Sequence, residues 1–258
     1  MTARAPRPFS PPAQRFTEAQ EPPELFSSRR AHWQPLAAAL LDLLFPPRCV
    51  LCGRVDQVWC RPCRVRVAAE QRAILLKPIP PLHGAMATTP HSGAARQVIR
   101  RFKYDSDART AQRLAAFWAL PMAAALETSG WHVDMLIPLP LHKDRQRERG
   151  YNQSQVLALA LSAYSGIPAE TSALERWRPT RPQVGLNRAA RRQNVENAFR
   201  ADPSLAAGRA ILLIDDVCTT GATLAAAADA LLLAQAAAVY SLTISAARAT
   251  TPDDYFSL

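Results

Sequence analysis

The chain has 258 residues, 48% of them hydrophobic, and carries a net charge of +10 with a pI near 10.0. That length and apolar content suit one substantial domain plus a small one. The charge, mostly arginine, points away from a cationic partner and towards nucleic acid or a phosphorylated small molecule, with a merely solvated basic surface as the alternative. The N-terminal region is proline-rich and polar, with no apolar signal core, and the run 36–45 is too short to span a bilayer and contains Asp42. A cytoplasmic protein without membrane insertion is therefore expected.

In chain order, residues 1–34 read as a disordered proline-rich tail, holding Pro6, Pro8, Pro11, Pro12, Pro22 and Pro23 among polar residues. Residues 35–77 read as a helix plus a cysteine module. The helix runs from Pro35 to Phe45, with a proline in its first turn and Pro46-Pro47 ending it. The module is Cys49-x-x-Cys52, a seven-residue spacer, then Cys60-x-x-Cys63. Two close pairs can each wrap a metal, and four thiolates complete the tetrahedron of a structural zinc ribbon, leaving no open position for catalysis. Two redox C-x-x-C sites or structural disulfides are the alternatives, and a cytoplasmic setting disfavours disulfides. Arg48, Arg54, Arg61, Arg64 and Arg66 surround the pairs, and Trp59 lies between them. Such a set can grip single-stranded nucleic acid; equally, Trp59 can pack the ribbon's small core beneath solvated arginines. A helix from Arg64 to about Leu76 is expected to lead out, followed by a linker with Pro78, Pro80 and Pro81.

Residues 78–258 read as an α/β domain. A strand pair is expected around Gly84–Thr89, then helices from Gly93 to Tyr104 and from Ala108 to Thr128. A buried strand follows at 135–140, then a basic loop and a helix from Asn152 to Ser165. The stretch Arg176 to Gln193 reads as a long loop running into a helix, and strand 210–215, helix 222–238 and strand 239–246 complete the domain. Strands alternating with helices imply a parallel sheet. In the loop 141–150, Lys143, Arg145 and Arg149 lie just past a strand's C-terminal end, where α/β sheets bind ligands. Gly150 precedes a helix, a second phosphate-binding candidate, and these cations suit neutralisation of a pyrophosphate.

The strongest local signal is the run Ile211-Leu-Leu-Ile-Asp-Asp-Val-Cys-Thr-Thr-Gly-Ala-Thr223. A buried strand closes on Asp215 and Asp216. A small, hydroxyl-rich loop, Thr219-Thr220-Gly221-Ala222-Thr223, then opens a helix. Free N–H groups and the positive dipole end of a helix N-terminus bind phosphate. Carboxylates cannot do so, but they suit ribose hydroxyls, and a ribose 5-phosphate carries both groups. A buried strand followed by a solvated turn is the plain alternative; a P-loop would need a glycine before a lysine, which the chain lacks.

This run resembles the phosphoribosyl pyrophosphate (PRPP) signature of type I phosphoribosyltransferases. The resemblance implies that Asp215 and Asp216 hold the ribose hydroxyls, with Thr219, Thr220, Gly221, Ala222 and Thr223 cradling the 5-phosphate. Further blocks sharpen it: Leu43 to Gly53, Ile99 to Tyr104, Ile137 to Ser154, Thr180 to Gln183 and Arg192 to Phe199. Together they resemble the competence protein F (ComF) family of that superfamily, over residues 36 to 248. Two features depart from the pattern: Asp105-Ser106-Asp107 stands where relatives often carry a glycine, and the proline-rich tail is additional. The resemblance implies a type I phosphoribosyltransferase fold behind a zinc ribbon. It also implies a role in natural transformation and leaves catalysis open; as an enzyme the chain would bind PRPP with magnesium, with Asp215, Asp216 and Arg149 as the candidate catalytic residues. Single-stranded DNA and a helicase or recombination-loader partner are the implied macromolecular contacts; a non-catalytic DNA- and helicase-binding module is the alternative.

Three further readings complete the expectations. Arg176, Arg178, Arg181, Arg188, Arg191 and Arg192 belong to a closing loop, a DNA surface or a solvated helix. His32, His83, His91, His132 and His142 show no metal-ligand spacing and read as ordinary, as does Cys218 as a loop filler. Lys103 and Tyr104 read as a helix end, where a cation is locally favourable.

Overall fold

The structure, a computed structural model, describes residues 46–55, 57–104, 107–178, 195 and 197–247. The expected tail, the helix 35–45 and most of the arginine stretch, including Arg181, Arg188, Arg191 and Arg192, lie outside these residues. Four long elements of the sheet are β2 (Gly84–Pro90), β3 (Met135–Pro138), β6 (Ala210–Cys218) and β7 (Ala238–Ala246). They run parallel in the order β2-β7-β6-β3, and the two-residue β1 (Ile74–Leu75) adds antiparallel to β2 at the edge. A separate antiparallel pair is formed by β4 (Leu174–Arg176) and β5 (Phe199–Ala201).

Helices cover both faces, which is why the central strands are apolar along their length rather than alternating. On one face α2 (Gly93–Tyr104), α3 (Ala108–Ser129) and α5 (Gln153–Ser165) pack Phe102, Trp118 and Leu157 against Met86, Leu212, Ile214 and Leu242. On the other, α7 (Ala222–Leu233), which follows the short α6 (Pro203–Ala206) in the chain, sets Leu224, Ala228 and Leu231 against Ile211, Leu213 and Val239. The alternating partners of Ile211, Leu212, Leu213 and Ile214 follow from the two-residue period of a strand. Among the described residues, no helix is long and apolar enough to cross a membrane.

Several boundaries differ from the sequence expectation, each for a local reason. The helix after the cysteines is α1 (Arg61–Ala68), starting earlier because Pro62 sits in its first turn, where a missing N–H costs nothing. The chain then turns into β1, whose Ile74 is fully buried against the sheet, so the sheet begins upstream of the proline segment. Gly84–Thr89 belongs to one strand, β2, which pairs with β1 on one side and with β7 on the other. The basic loop is helical: α4 (Lys143–Arg149) is capped by His142 and closed by Gly150 in the left-handed region at φ +79. Strand β6 does not stop at the acid pair but keeps its pairing with β7 through Cys218. Helix α7 ends at Leu233, where Gln235 adopts φ +65 and turns the chain into β7.

Candidate functional site

Among the described residues, Asp215, Asp216 and the loop 219–223 at the end of β6 and the segment 143–150 after β3 lie at or just past the C-terminal ends of neighbouring parallel strands, where α/β sheets bind ligands. Asp215 and Asp216 stand near the end of β6, and they are engaged by different elements. Asp216 is buried, and Lys103 Nζ from the last turn of α2 lies 2.8 Å from its Oδ1. Asp215 Oδ1 accepts from Ser154 Oγ, at the start of α5, at 2.8 Å and from the backbone N–H of Asp216 at 2.9 Å. Asn152 fixes that end of α5: its Oδ1 accepts from Ser154 N at 3.1 Å while its Nδ2 donates to Leu139 O at 3.1 Å. The start of α5 is thereby tied to the segment that follows β3.

The loop from Thr219 to Gly221 leads into α7, with Gly221 as N-cap at φ +78. Thr220 Oγ1 accepts from Ala222 N at 3.3 Å, tightening the turn. A Cβ on Gly221 would lie 2.8 Å from both Cδ1 and Cγ2 of Ile79. Glycine is thus required twice, by the backbone angle and by the close approach of the proline-rich segment between β1 and β2.

Electrostatics divide the acid pair. Burial first, and then the charge of Asp216, raise Asp215 to about 7, against the opposing pull of Lys103, the Asp216 N–H and Ser154. Lys103 is pushed upward: burial would lower it, but the Asp216 carboxylate outweighs that. His91, just past β2, is held below its ordinary value by burial and then by the Lys103 and Arg96 charges, so it is neutral near pH 7. Its Nδ1 lies 2.8 Å from Ser245 Oγ at the end of β7.

The cations after β3 line the rim. Arg149 stacks its guanidinium 5.0 Å from the centre of the Tyr104 ring, and Lys143 pairs with Glu175 of β4 at 3.1 Å. The charge of Arg145 reaches Arg176, which is buried over the Phe199 ring and lowered to about 10, chiefly by burial. Gly150 is a helix C-cap, and its N–H donates to Gln146 O at 2.9 Å. That N–H therefore serves α4 instead of the approach to α5.

The four cysteines converge separately. Backbone bonds from Cys49 N to Arg54 O, Gly53 N to Cys49 O and Val50 N to Val58 O fold a small ribbon. It brings Cys49, Cys52, Cys60 and Cys63 together with all four Sγ atoms within 4.8 Å of one another. The thiols are free, and Cys52 Sγ lies 3.7 Å from Cys60 Sγ. A tetrahedral site with metal–sulfur bonds of about 2.3 Å has edges near ~3.8 Å, whereas a disulfide needs about 2.05 Å. The donor set therefore fits a zinc-like ion. The thiols are driven apart: burial and then the neighbouring Cys60, Cys52 and Cys49 push the Cys63 thiol up, while at Cys49 backbone hydrogen bonds at Cys52, Cys60 and Leu51 outweigh burial and bring it to about 6. Trp59 stacks on Phe117 of α3 at 4.5 Å, so it anchors the ribbon to the larger domain and not only to itself.

Sequence reasoning brought out the acid pair, the phosphate loop and the cysteines, but missed Ser154, the Lys103–Asp216 pair, the His91–Ser245 contact and Glu70. The Glu70 carboxylate, just past α1, accepts from Ala94 N and Ala95 N at 3.0 Å each, capping α2. Lys103 is one of only three lysines in an arginine-rich chain, and none of these contacts left a local signal.

No family model matches the chain. It is 31% identical over 195 residues to the DNA utilization protein YhgH of Escherichia coli O157:H7, covering 74% of this chain and 85% of that one. It is 30% identical over 199 residues to the competence protein ComFC of Bacillus subtilis, covering 76% of each. Glutamine PRPP amidotransferase from B. subtilis aligns at 21% identity with a TM-score of 0.38, covering 56% of this chain and 30% of that one. At that score the structural likeness carries no weight, and kinship rests on the sequence relatives. With its mostly parallel α/β sheet and its N-terminal four-cysteine cluster, the chain belongs to the competence protein F (ComF) family.

Proposed function

We propose that the chain binds the ribose 5-phosphate part of PRPP at the C-terminal edge of the sheet and transfers it as a phosphoribosyltransferase, in the handling of incoming single-stranded DNA. One observation carries this reading: the paired carboxylates Asp215 and Asp216 stand on β6 one tight turn from the N-terminus of α7. Carboxylates for hydroxyls and helix N–H groups for phosphate then lie at the two ends of one small site. Thr219, Thr220, Ala222 and Thr223 surround the phosphate, with Gly221 letting the backbone approach. Asp215 and Asp216 accept from the ribose hydroxyls. Lys143, Arg145 and Arg149, beside Gly150, face the pyrophosphate. An acceptor nucleophile bonds to the anomeric carbon as the carbon–oxygen bond to pyrophosphate breaks, and Arg149 neutralises the departing charge. Magnesium, bound with PRPP, would screen the pyrophosphate oxygens. Zinc on the four cysteines would be structural. The chain would work in the cytoplasm.

One relative is named a DNA utilization protein, which suits a second reading, a non-catalytic module that binds single-stranded DNA and a helicase or recombination-loader partner. The exposed Arg54 and Arg61 on the ribbon, beside Arg64, suit that contact. Two experiments separate the readings. Thr220→Val should weaken ribose 5-phosphate and PRPP alike, because both carry the 5-phosphate; Arg149→Ala should weaken PRPP alone. Equal losses for both ligands in Arg149→Ala would remove the pyrophosphate assignment. Reversing Arg54, Arg61 and Arg64 together should weaken single-stranded DNA, whose affinity should fall steeply with salt; unchanged binding would move the DNA surface off the ribbon.

A further inference from the structure

The cations of α4 are not equivalent. Lys143 is taken up by Glu175 at 3.1 Å, and Arg147 lies 3.9 Å from Asp144 on its own helix. Arg149, the last residue of α4, is half-buried yet has no carboxylate within ion-pair distance among the described residues. Its guanidinium lies instead 5.0 Å from the centre of the Tyr104 ring. Attraction to a ring face spends none of the N–H donors with which a guanidinium grips a phosphate in pairs. We propose that Tyr104 is a positioning residue whose ring holds Arg149 at the rim of the site, ready for the pyrophosphate of PRPP. This rests on the phosphoribosyl reading of the site and deepens it.

The ring is itself held in place. Three consecutive residues end α2, and each has a different task. Phe102 is fully buried in the core, and its carbonyl accepts from the Tyr151 hydroxyl. The Phe102 and Tyr151 rings also meet, with centres 6.2 Å apart. Lys103 Nζ reaches Asp216 at 2.8 Å. Tyr104 is left 68% exposed, against Arg149. Arg149 and Tyr151 flank the left-handed Gly150, so fixing Tyr151 also fixes where Arg149 leaves α4. The last turn of α2 and the α4–α5 junction therefore form one assembly, tied to the acid pair by Lys103 on one side and Ser154 on the other. Within it Arg149 comes near enough to Lys103 for its charge to oppose that of the lysine. The two cations repel, and the Tyr104 ring supplies the attraction that keeps Arg149 at the site.

Calorimetry of the full chain with ribose 5-phosphate, and with PRPP plus magnesium, tests the assignment. Tyr104→Leu should weaken PRPP by about two- to fivefold, the scale of an exposed cation–ring contact, and leave ribose 5-phosphate unchanged. The side chain is largely exposed, so the variant should stay folded, and the ribose 5-phosphate titration reports that directly. Tyr104→Phe keeps the ring and should bind PRPP as wild type does. In an Arg149→Ala background, Tyr104→Leu should cost PRPP nothing further, because the guanidinium it positions is gone. A merely structural tyrosine would lose both ligands in step, or would lose PRPP again on top of Arg149→Ala. Either result overturns the proposal, as does wild-type affinity for PRPP in Tyr104→Leu. A loss in Tyr104→Phe equal to that in Tyr104→Leu would move the role from the ring to the hydroxyl and overturn it too. If wild-type protein binds ribose 5-phosphate as tightly as PRPP, the ribose site stands and the pyrophosphate role of Arg149 and Tyr104 falls. If it binds neither, the phosphoribosyl reading itself fails and takes this assignment with it.

Discussion

Gly221→Ala tests how the phosphate loop is built. Gly221 sits at φ +78, and a Cβ there would meet Ile79 Cδ1 and Cγ2 at 2.8 Å each and Cγ1 at 3.2 Å. The left-handed backbone costs an alanine roughly 1–2 kcal/mol, and forcing an extra carbon into a filled contact typically costs about 1–3 kcal/mol more. The sum is about 2–5 kcal/mol, which at roughly 2–4 °C per kcal/mol for a chain of this size lowers the melting temperature by about 4–20 °C. Thermal and urea unfolding of Gly221→Ala, Ile79→Ala and the double variant separate the two contributions. Removing the Ile79 side chain relieves the collision but not the backbone strain, so the double variant should be more stable than the sum of the singles by about 1–3 kcal/mol. A Gly221→Ala protein within ~0.5 kcal/mol of wild type, or strictly additive singles, would refute the account of the loop as pinned against the segment between β1 and β2.

The remaining predictions concern the metal, the helix cap and pH. The protein should purify with about one zinc per chain, and Cys60→Ser should release it and loosen the ribbon while the sheet stays folded; metal analysis showing no zinc would contradict this. Glu70→Gln should cost about 1–2 kcal/mol, because a carboxylate at a helix N-terminus loses its charge, and an unchanged urea midpoint would show that the cap is idle. Asp215 is raised from 3.8 to about 7 on folding. The folded state therefore binds the extra proton between those values, and the stability it contributes is fully present below about pH 4 and lost as pH rises through 7. At 1.36 kcal/mol per unit the loss across the window is at most about 4 kcal/mol. Asp215→Asn should abolish that slope, and a variant that melts in parallel with wild type from pH 4 to 8 would show that Asp215 does not carry it.

The chain segments with strong local signals were legible. The apolar run Ile211–Ile214 requires a buried strand, and the small loop after it requires a turn into a helix, so β6, the loop and α7 could be read directly. Paired C-x-x-C spacing likewise brought Cys49, Cys52, Cys60 and Cys63 together in advance. What escaped was made by long-range contact. Lys103 meets Asp216, and His91 meets Ser245, only after α2 and the sheet are assembled, and nothing near either residue in sequence announces the meeting. Read locally, Lys103 is just a cation at a helix C-terminus. The helicity of Lys143–Arg149 was hidden because the segment buries no residue and so has no apolar periodicity; its ends are set by a cap at His142 and a left-handed Gly150 instead. The continuation of β6 past two acids was equally hidden, since carboxylates normally end a strand, and here pairing with β7 and the Lys103 charge compensate for them.

The central claim is that the acid pair and the α7 N-terminus form one site for a ribose 5-phosphate group. Isothermal titration of the metal-loaded protein with ribose 5-phosphate, and with PRPP plus magnesium, tests it most directly. The account expects both to bind at a single site per chain, PRPP more tightly through its pyrophosphate, and both to be lost in Asp215→Asn plus Asp216→Asn with the fold intact. No heat and no thermal shift from either ligand or from nucleotides, in folded wild-type protein, would contradict it.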